Sequence, residues 1–253
     1  MTPPRRSKEH YSYSAYADPK MARTFDDRRF SGPIGELIAG TQARVVANMV
    51  GRIKDRIILD VGTGTGRAAL MLARGGARVT AVDASPDMLA VAQQRATDQV
   101  VKVTFLEGDA HALDLADRSF DVVVALRLLM HTPKWRRCVS EMCRVADRLV
   151  IVDYPSATSV ALLESLARKV GYSLGVRTEP YRVFTHGLIV EAFERQGFRI
   201  RSVHRQFVLP IAFHKAIHSR RFTIWSEDVL DRMGLLKLFG SPVTLVAERC
   251  APS

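Results

Sequence analysis

Apolar runs and polar gaps alternate with a regular beat through the middle of this chain. Five short runs rich in β-branched residues stand at Ile57 to Val61, Arg78 to Val82, Val101 to Glu107, Phe120 to Leu126 and Arg148 to Asp153. Between them lie stretches with apolar positions at helical spacing, starting at Arg67, running from Asp87 to Ala96, and from Trp135 to Ala146. Short, almost continuously apolar runs such as FDVVVAL belong to strands buried on both faces. Strand and helix in strict alternation predict a parallel sheet with helices on both sides. Ahead of this unit, Ile34 to Val50 carries a helical pattern that closes at Gly51 and should pack on the sheet.

After Asp153 the beat changes. Ser156 to Val170 reads as a helix, Gly171 to Phe184 as an irregular stretch, and His186 to Gln196 as another helix. That is more chain than a simple crossover needs, so a cap over a pocket is expected at 155–185. Tyr154, Tyr172, Tyr181 and Phe184 are candidates for its inner wall, or equally for packing. Phe198 to Leu209 and Pro242 to Glu248 read as two last strands. Between them Phe213, Ile217, Phe222, Ile224 and Trp225 mix with His214, Lys215, His218, Arg220 and Arg221. Two readings stay open there: an amphipathic face for a lipid surface, or a helix pair on the far edge of the sheet. The organisation expected is an N-terminal helical segment or lid at 1–50 and one main domain at 51–253.

Composition agrees with one α/β domain, since 253 residues that are 47% apolar suffice for a packed core. No apolar stretch approaches the roughly 20 residues needed to span a bilayer. The first residues hold Pro, Arg and Lys with no apolar region behind them, unlike a secretory signal. Cys138, Cys143 and Cys250 form no CxxC pair, which points to reduced thiols and a cytoplasmic location; no metal site is expected. The net charge of +11 lies mainly outside the central unit, with 14 basic and 8 acidic residues in 154–253. The basic residues are scattered, so a solvated face and an anionic partner both remain open.

The chemistry concentrates in Ile57 to Ala73, IILDVGTGTGRAALMLA. Three glycines between a strand and a helix let the backbone turn sharply and lie against a ligand, which then meets the free N–H groups of the helix. A dinucleotide fingerprint is excluded because Gly66 comes one place early and Arg67 stands where the third glycine belongs. No Gly-Lys-Ser/Thr ends the loop, so it is not a Walker loop either. Asp83 ends the second strand, where nucleotide-binding α/β folds place the acid that accepts both ribose hydroxyls.

The run Asp60-x-Gly62-x-Gly64-x-Gly66 resembles motif I of the class I S-adenosylmethionine-dependent methyltransferases. The resemblance covers residues 51–153 by motif and the rest by topology only. It implies a doubly wound, mostly parallel seven-stranded α/β sheet whose last two strands form an antiparallel edge, with S-adenosylmethionine as cofactor. It further implies that the cofactor is held by Asp60, Gly62, Thr63, Gly64 and Gly66, by Asp83 and Ala84 at the ribose, and by Met88, Asp109 and Ala110 at the adenine. Leu126 and Tyr16 complete that set, with Phe25 and Asp26 a loose match to the family's N-terminal segment.

The segment RLLMHTP resembles the Leu-x-His-x-Pro pattern of a subgroup that includes quinone-type and lipid-type enzymes. His131 and Pro133 match it, while Arg127 falls where that subgroup varies. His131 is therefore a candidate base on the acceptor side, and Arg127 a candidate to hold an anionic group, although either also suits a structural role. The chain lacks the Pro-Pro-Tyr/Phe signature of amino-methylating nucleic-acid enzymes and a Cys beside Pro for cytosine carbon methylation. A small-molecule acceptor, quinone-like or lipid-like, is thus favoured. An RNA methyltransferase using the basic C-terminal half and a non-catalytic cofactor-binding module stay open.

Overall fold

A computed structural model describes residues 19–160 and 181–251. Helices α1 (Pro19–Phe30) and α2 (Gly32–Val50) come first. The alternating unit follows as β1 (Ile57–Val61), α3 (Arg67–Arg74), β2 (Arg78–Asp83), α4 (Pro86–Asp98), β3 (Thr104–Glu107) and β4 (Phe120–Ala125). It continues with α5 (Trp135–Val145), β5 (Ala146–Tyr154), α6 (His186–Glu194) and β6 (Phe198–Arg205). Helices α7 (Ile211–Ile217), α8 (Arg220–Arg232) and α9 (Leu235–Phe239) precede β7 (Val243–Arg249).

Among the described residues the strands form one seven-stranded sheet in the order β3-β2-β1-β4-β5-β7-β6. β1 to β5 pair in parallel, and β7 runs antiparallel between β5 and β6. Winding reverses between β1 and β4, which opens a crevice outside their C-terminal ends. The central strands are apolar on both faces because each face has its own core. Leu59, Val61 and Val123 pack with Met142 and Phe193 on one side, and Ile58, Val122 and Val124 with Val46 and Leu72 on the other.

Several element boundaries differ from the sequence reading for identifiable reasons. β3 begins at Thr104, not Val101, because Val100 and Val101 still donate to Thr97 and Ala96 in the last turn of α4. β6 ends at Arg205 because Val208 and Leu209 give their N–H groups to the Glu227 carboxylate instead of a ladder. Helices α7 and α8 pack on α2, so the placement at the far edge of the sheet is corrected. Most of the expected cap, with Tyr172, lies outside the described residues, as does Tyr16. The two ends of that segment are pinned together, Phe184 donating to the Pro155 carbonyl (2.9 Å) and Ala157 to that of Phe184 (2.8 Å). Tyr154 and Phe184 belong to the core: Tyr154 Oη shares a 2.7 Å hydrogen bond with His186 Nδ1, and Phe184 stands edge-on to Trp135 at 5.1 Å. No helix among the described residues is long and apolar enough to cross a membrane.

Candidate active site

The turn after β1 is stitched to its neighbour, Gly62 and Thr63 both donating to the Val82 carbonyl at 2.8 and 3.1 Å. Asp60, at the strand tip, accepts from the Thr63 hydroxyl (2.7 Å) and the Ala69 N–H (3.1 Å), which ties the turn to α3. All three glycines have positive φ, 70°, 54° and 82°, yet they serve different ends. A Cβ on Gly62 would lie 2.8 Å from Leu128 Cδ1, and one on Gly66 3.0 Å from Ala92 Cβ. Those two glycines let the turn press against its neighbours. A Cβ on Gly64 would meet nothing within 4 Å, and Gly64 lines a cavity of about 200 Å³. Its missing side chain leaves space for a ligand.

Acids from the next two strands face the same cavity. Asp83, closing β2, accepts the Gly64 N–H (2.7 Å) on one oxygen and the Ser85 N–H (2.9 Å) on the other. These two bonds fix the carboxylate at the mouth of the turn and leave lone pairs on both oxygens, since a carboxylate has about four acceptor sites. Ser85 in turn caps α4 through the Met88 N–H (3.2 Å), so the cap needs no help from Asp83. Asp109 accepts the His111 N–H (2.8 Å) and stands 2.7 Å from His111 Nδ1. Of the residues the sequence singled out, Thr63, Ala84, Met88, Ala110, Leu126, Arg127 and His131 also line this cavity. Gly66 lies outside the lining of this cavity and packs the turn on α4.

Burial pushes Asp60, Asp83 and Asp153 above the ordinary carboxylate range, Asp60 to about 6. For Asp60 the sign follows from linkage. The folded state keeps a proton that the unfolded chain releases near 3.9, so its contribution is complete below about pH 4 and is lost as pH rises through 6. At pH 8 the ionised, buried group costs about 3 kcal/mol. Asp60→Asn, which keeps an acceptor for Thr63 and Ala69, is therefore expected to stabilise the ligand-free protein by about 2 kcal/mol at pH 8 and by nothing at pH 4. Urea unfolding at both values checks this; an equal effect at the two would refute the assignment.

Helix α1 closes the cavity from above. Asp26 accepts from the Thr65 hydroxyl (2.9 Å) and from Arg95 Nη1, while Arg67 stacks over the Phe30 ring at 3.4 Å. Asp26 Oδ1 is buried without a hydrogen-bond partner among the described residues. On the other flank Asp153, at the end of β5, accepts from Gln42 Nε2 (3.2 Å) and from the Arg127 N–H. This bond holds Arg127 at φ 58°, and the next residue, Leu128, then reaches Gly62. A second cavity of about 120 Å³ shares Phe30, Gln42 and Arg127 with the first and is otherwise mainly apolar, with Ile38, Met130 and Leu209 in its wall. Tyr181 lines it, with its ring 6.5 Å from that of His131.

Sequence reading overlooked Gln42, Arg67 and Asp153. Asp153 carried the same signal as Asp83, an acid at the tip of a parallel strand, whereas nothing local marks Gln42, which meets it from 111 positions away. Cys138 and Cys143 are buried, and burial raises both thiols, Cys138 to about 12, so neither supplies a thiolate nucleophile.

A seven-stranded sheet with β7 inserted antiparallel, wound around a glycine turn and strand-tip acids, is the class I methyltransferase fold. Residues 58–148 match a family model described as a methyltransferase domain. Over 103 residues it is 39% identical to a demethylmenaquinone methyltransferase of Thermus thermophilus, a match covering 39% of this chain and 47% of that one. Over 118 residues it is 35% identical to the demethylmenaquinone methyltransferase of Renibacterium salmoninarum, covering 46% and 48% of the two chains. The chain thus spans about half the length of these relatives. Across 94% of its length it superposes on 98% of the magnesium protoporphyrin IX methyltransferase of Synechocystis PCC 6803 solved with bound SAH, with a TM-score of 0.68 at 21% identity.

Proposed function

We propose that this protein transfers a methyl group from S-adenosylmethionine to an apolar small molecule, of quinone-like or lipid-like character. The observation that carries this reading is the convergence of Gly64, Asp83 and Asp109 on one cavity, with the space at Gly64 open. Their chemistry fits the cofactor part by part. Asp83 suits a vicinal diol, Asp109 an exocyclic amino group, and the unpartnered Asp26 Oδ1 an ammonium. When bound, S-adenosylmethionine supplies a methyl group already activated on a sulfonium. The chain's own work is to hold and align the reactants and to keep water out. The named relatives support a small acceptor, because demethylmenaquinone and magnesium protoporphyrin methyltransferases are named for small molecules.

The second cavity is the seat proposed for the acceptor, and its apolar wall favours a ring or chain over a nucleotide. Arg127, common to both cavities, orients an oxygen-bearing end of the acceptor, and His131 takes its proton. His131→Gln is then expected to lower kcat about 100-fold while KM for S-adenosylmethionine stays within about twofold; an unaltered kcat would remove the base role. The reading as a whole is tested by incubating cell extract with the protein and methyl-labelled S-adenosylmethionine. Label should enter the organic phase with wild type and not with Asp83→Ala. Label confined to RNA would overturn the acceptor class, and no transfer despite tight binding would overturn the enzyme.

A further inference from the structure

Helix α8 buries polar groups and leaves large apolar residues exposed. Thr223 and Ser226 are buried, Thr223 Oγ1 lies 3.1 Å from His214 Nδ1, and Glu227 pairs with His214 Nε2 at 2.8 Å. The Glu227 carboxylate also takes the N–H groups of Val208 (2.6 Å) and Leu209 (3.0 Å). These bonds hold the helix firmly in place.

One flank of its outward side is apolar, while the exposed Asp228, Asp231 and Arg232 share that side with it. Trp225, Val229 and Met233 follow at four-residue spacing and are 63%, 37% and 67% exposed. The stripe continues onto α7, since the Phe222 ring lies 6.0 Å from Trp225 and 6.2 Å from Phe213, which is itself exposed along with Ile217. Leu238 and Phe239 add to it from α9. Around this patch stand Arg220, Arg221 and Lys237, all exposed and without an ion pair among the described residues. The two arginines occupy the first turn of α8, at the positive end of the helix dipole, where a cation is disfavoured unless an anion comes to meet it.

We propose that the face formed by α7, α8 and α9 docks this protein on an anionic lipid bilayer. Trp225, Phe213, Val229 and Met233 enter the headgroup boundary, and Arg220, Arg221 and Lys237 meet lipid phosphates. The charge pattern selects this occupant. A second copy pairing through the same face would set Arg220, Arg221 and Lys237 against one another, since the exposed Asp228 is already paired with Arg232 at 2.7 Å. A nucleic-acid strand would stack its bases on parallel exposed ring faces, whereas the Phe213, Phe222 and Trp225 rings meet one another tilted at 48° and 61° and stand among the exposed Ile217, Val229, Met233 and Leu238. Indole at a membrane boundary keeps its apolar body in the hydrocarbon and its N–H in water. Glu227 links the face to the second cavity, because Val208 and Leu209, which it holds, line that cavity. Only this link rests on the acceptor reading above; docking does not.

The test is flotation of the full chain with vesicles of phosphatidylglycerol and phosphatidylcholine in about equal parts, against phosphatidylcholine alone. Wild type should float with the anionic vesicles only, more strongly at low salt. The chain has two tryptophans, Trp135 being buried, so a blue shift of emission on binding reads Trp225. The double variant Trp225→Ser with Met233→Ser should lose most flotation, and Arg220→Glu with Arg221→Glu should bind at least about 25-fold more weakly, about fivefold per cation lost. All four positions are exposed, so melting temperatures should stay unchanged. Absence of flotation at low salt, equal flotation on neutral vesicles, or undiminished flotation of both double variants would overturn the proposal. So would a dimer, or retention on RNA, that the same variants abolish.

Discussion

Asp83→Ala should weaken binding of S-adenosylhomocysteine, the product-side analogue, by at least about 100-fold. Two hydrogen bonds from a diol to a charged acceptor contribute about 1.5 to 3 kcal/mol each, and both vanish with the carboxylate. The damage extends to the protein, because the N–H groups of Gly64 and Ser85 lose the acceptor that now positions them. Asp83→Asn, which retains an acceptor, should be affected less. Titration calorimetry on both variants gives the answer, and an affinity for the Ala variant equal to wild type would remove Asp83 from the site.

The glycine turn yields the second large effect, as a contrast within one motif. Gly62→Ala places a methyl group 2.8 Å from Leu128 at a φ of 70°. Left-handed backbone costs an alanine about 1 to 2 kcal/mol, and overpacking a filled site about 1 to 3 more. The variant should therefore lose about 2 to 5 kcal/mol of stability. Gly64→Ala bears only the backbone cost, since its methyl group enters open cavity, and should lose about 1 to 2 kcal/mol while binding the cofactor poorly. Urea unfolding and calorimetry separate the two. Equal destabilisation with normal binding in both variants would show that the cavity beside Gly64 is not where the ligand lies.

Much of this arrangement was legible in the chain because it is written in local patterns. Continuous apolar runs marked β1, β4 and β5, whose burial on both faces leaves no polar alternation. Asp60 and Asp83 lie at the C-terminal ends of β1 and β2 and Asp109 just beyond β3, so a parallel sheet brings them to one edge whatever packs around them. What was not legible depends on contacts between distant segments. Gln42 meets Asp153 only after α2 has packed over the sheet, and Arg67, read as a missing glycine, acquires its role when Phe30 arrives beneath its guanidinium. The C-terminal helices illustrate the same point. Their mixture of rings and cations suited two placements, and burial of Thr223 and Ser226, with the bonds of Glu227 to the loop after β6, decides which side faces out. Tyr154 and Phe184 went the other way, into the core, because the aromatic edge contacts with Trp135 and the bond to His186 satisfy them there.

The central claim is that strand-tip acids and an open glycine turn form a seat for an adenosyl sulfonium. A crystal structure of the protein with S-adenosylhomocysteine tests it most directly. The account predicts the ribose hydroxyls at hydrogen-bond distance from Asp83, the adenine amino group on Asp109, and the chain of the ligand lying against Gly64. A ligand bound elsewhere, or a seat at Asp83 that stays filled by solvent while the compound is present at saturation, would contradict it.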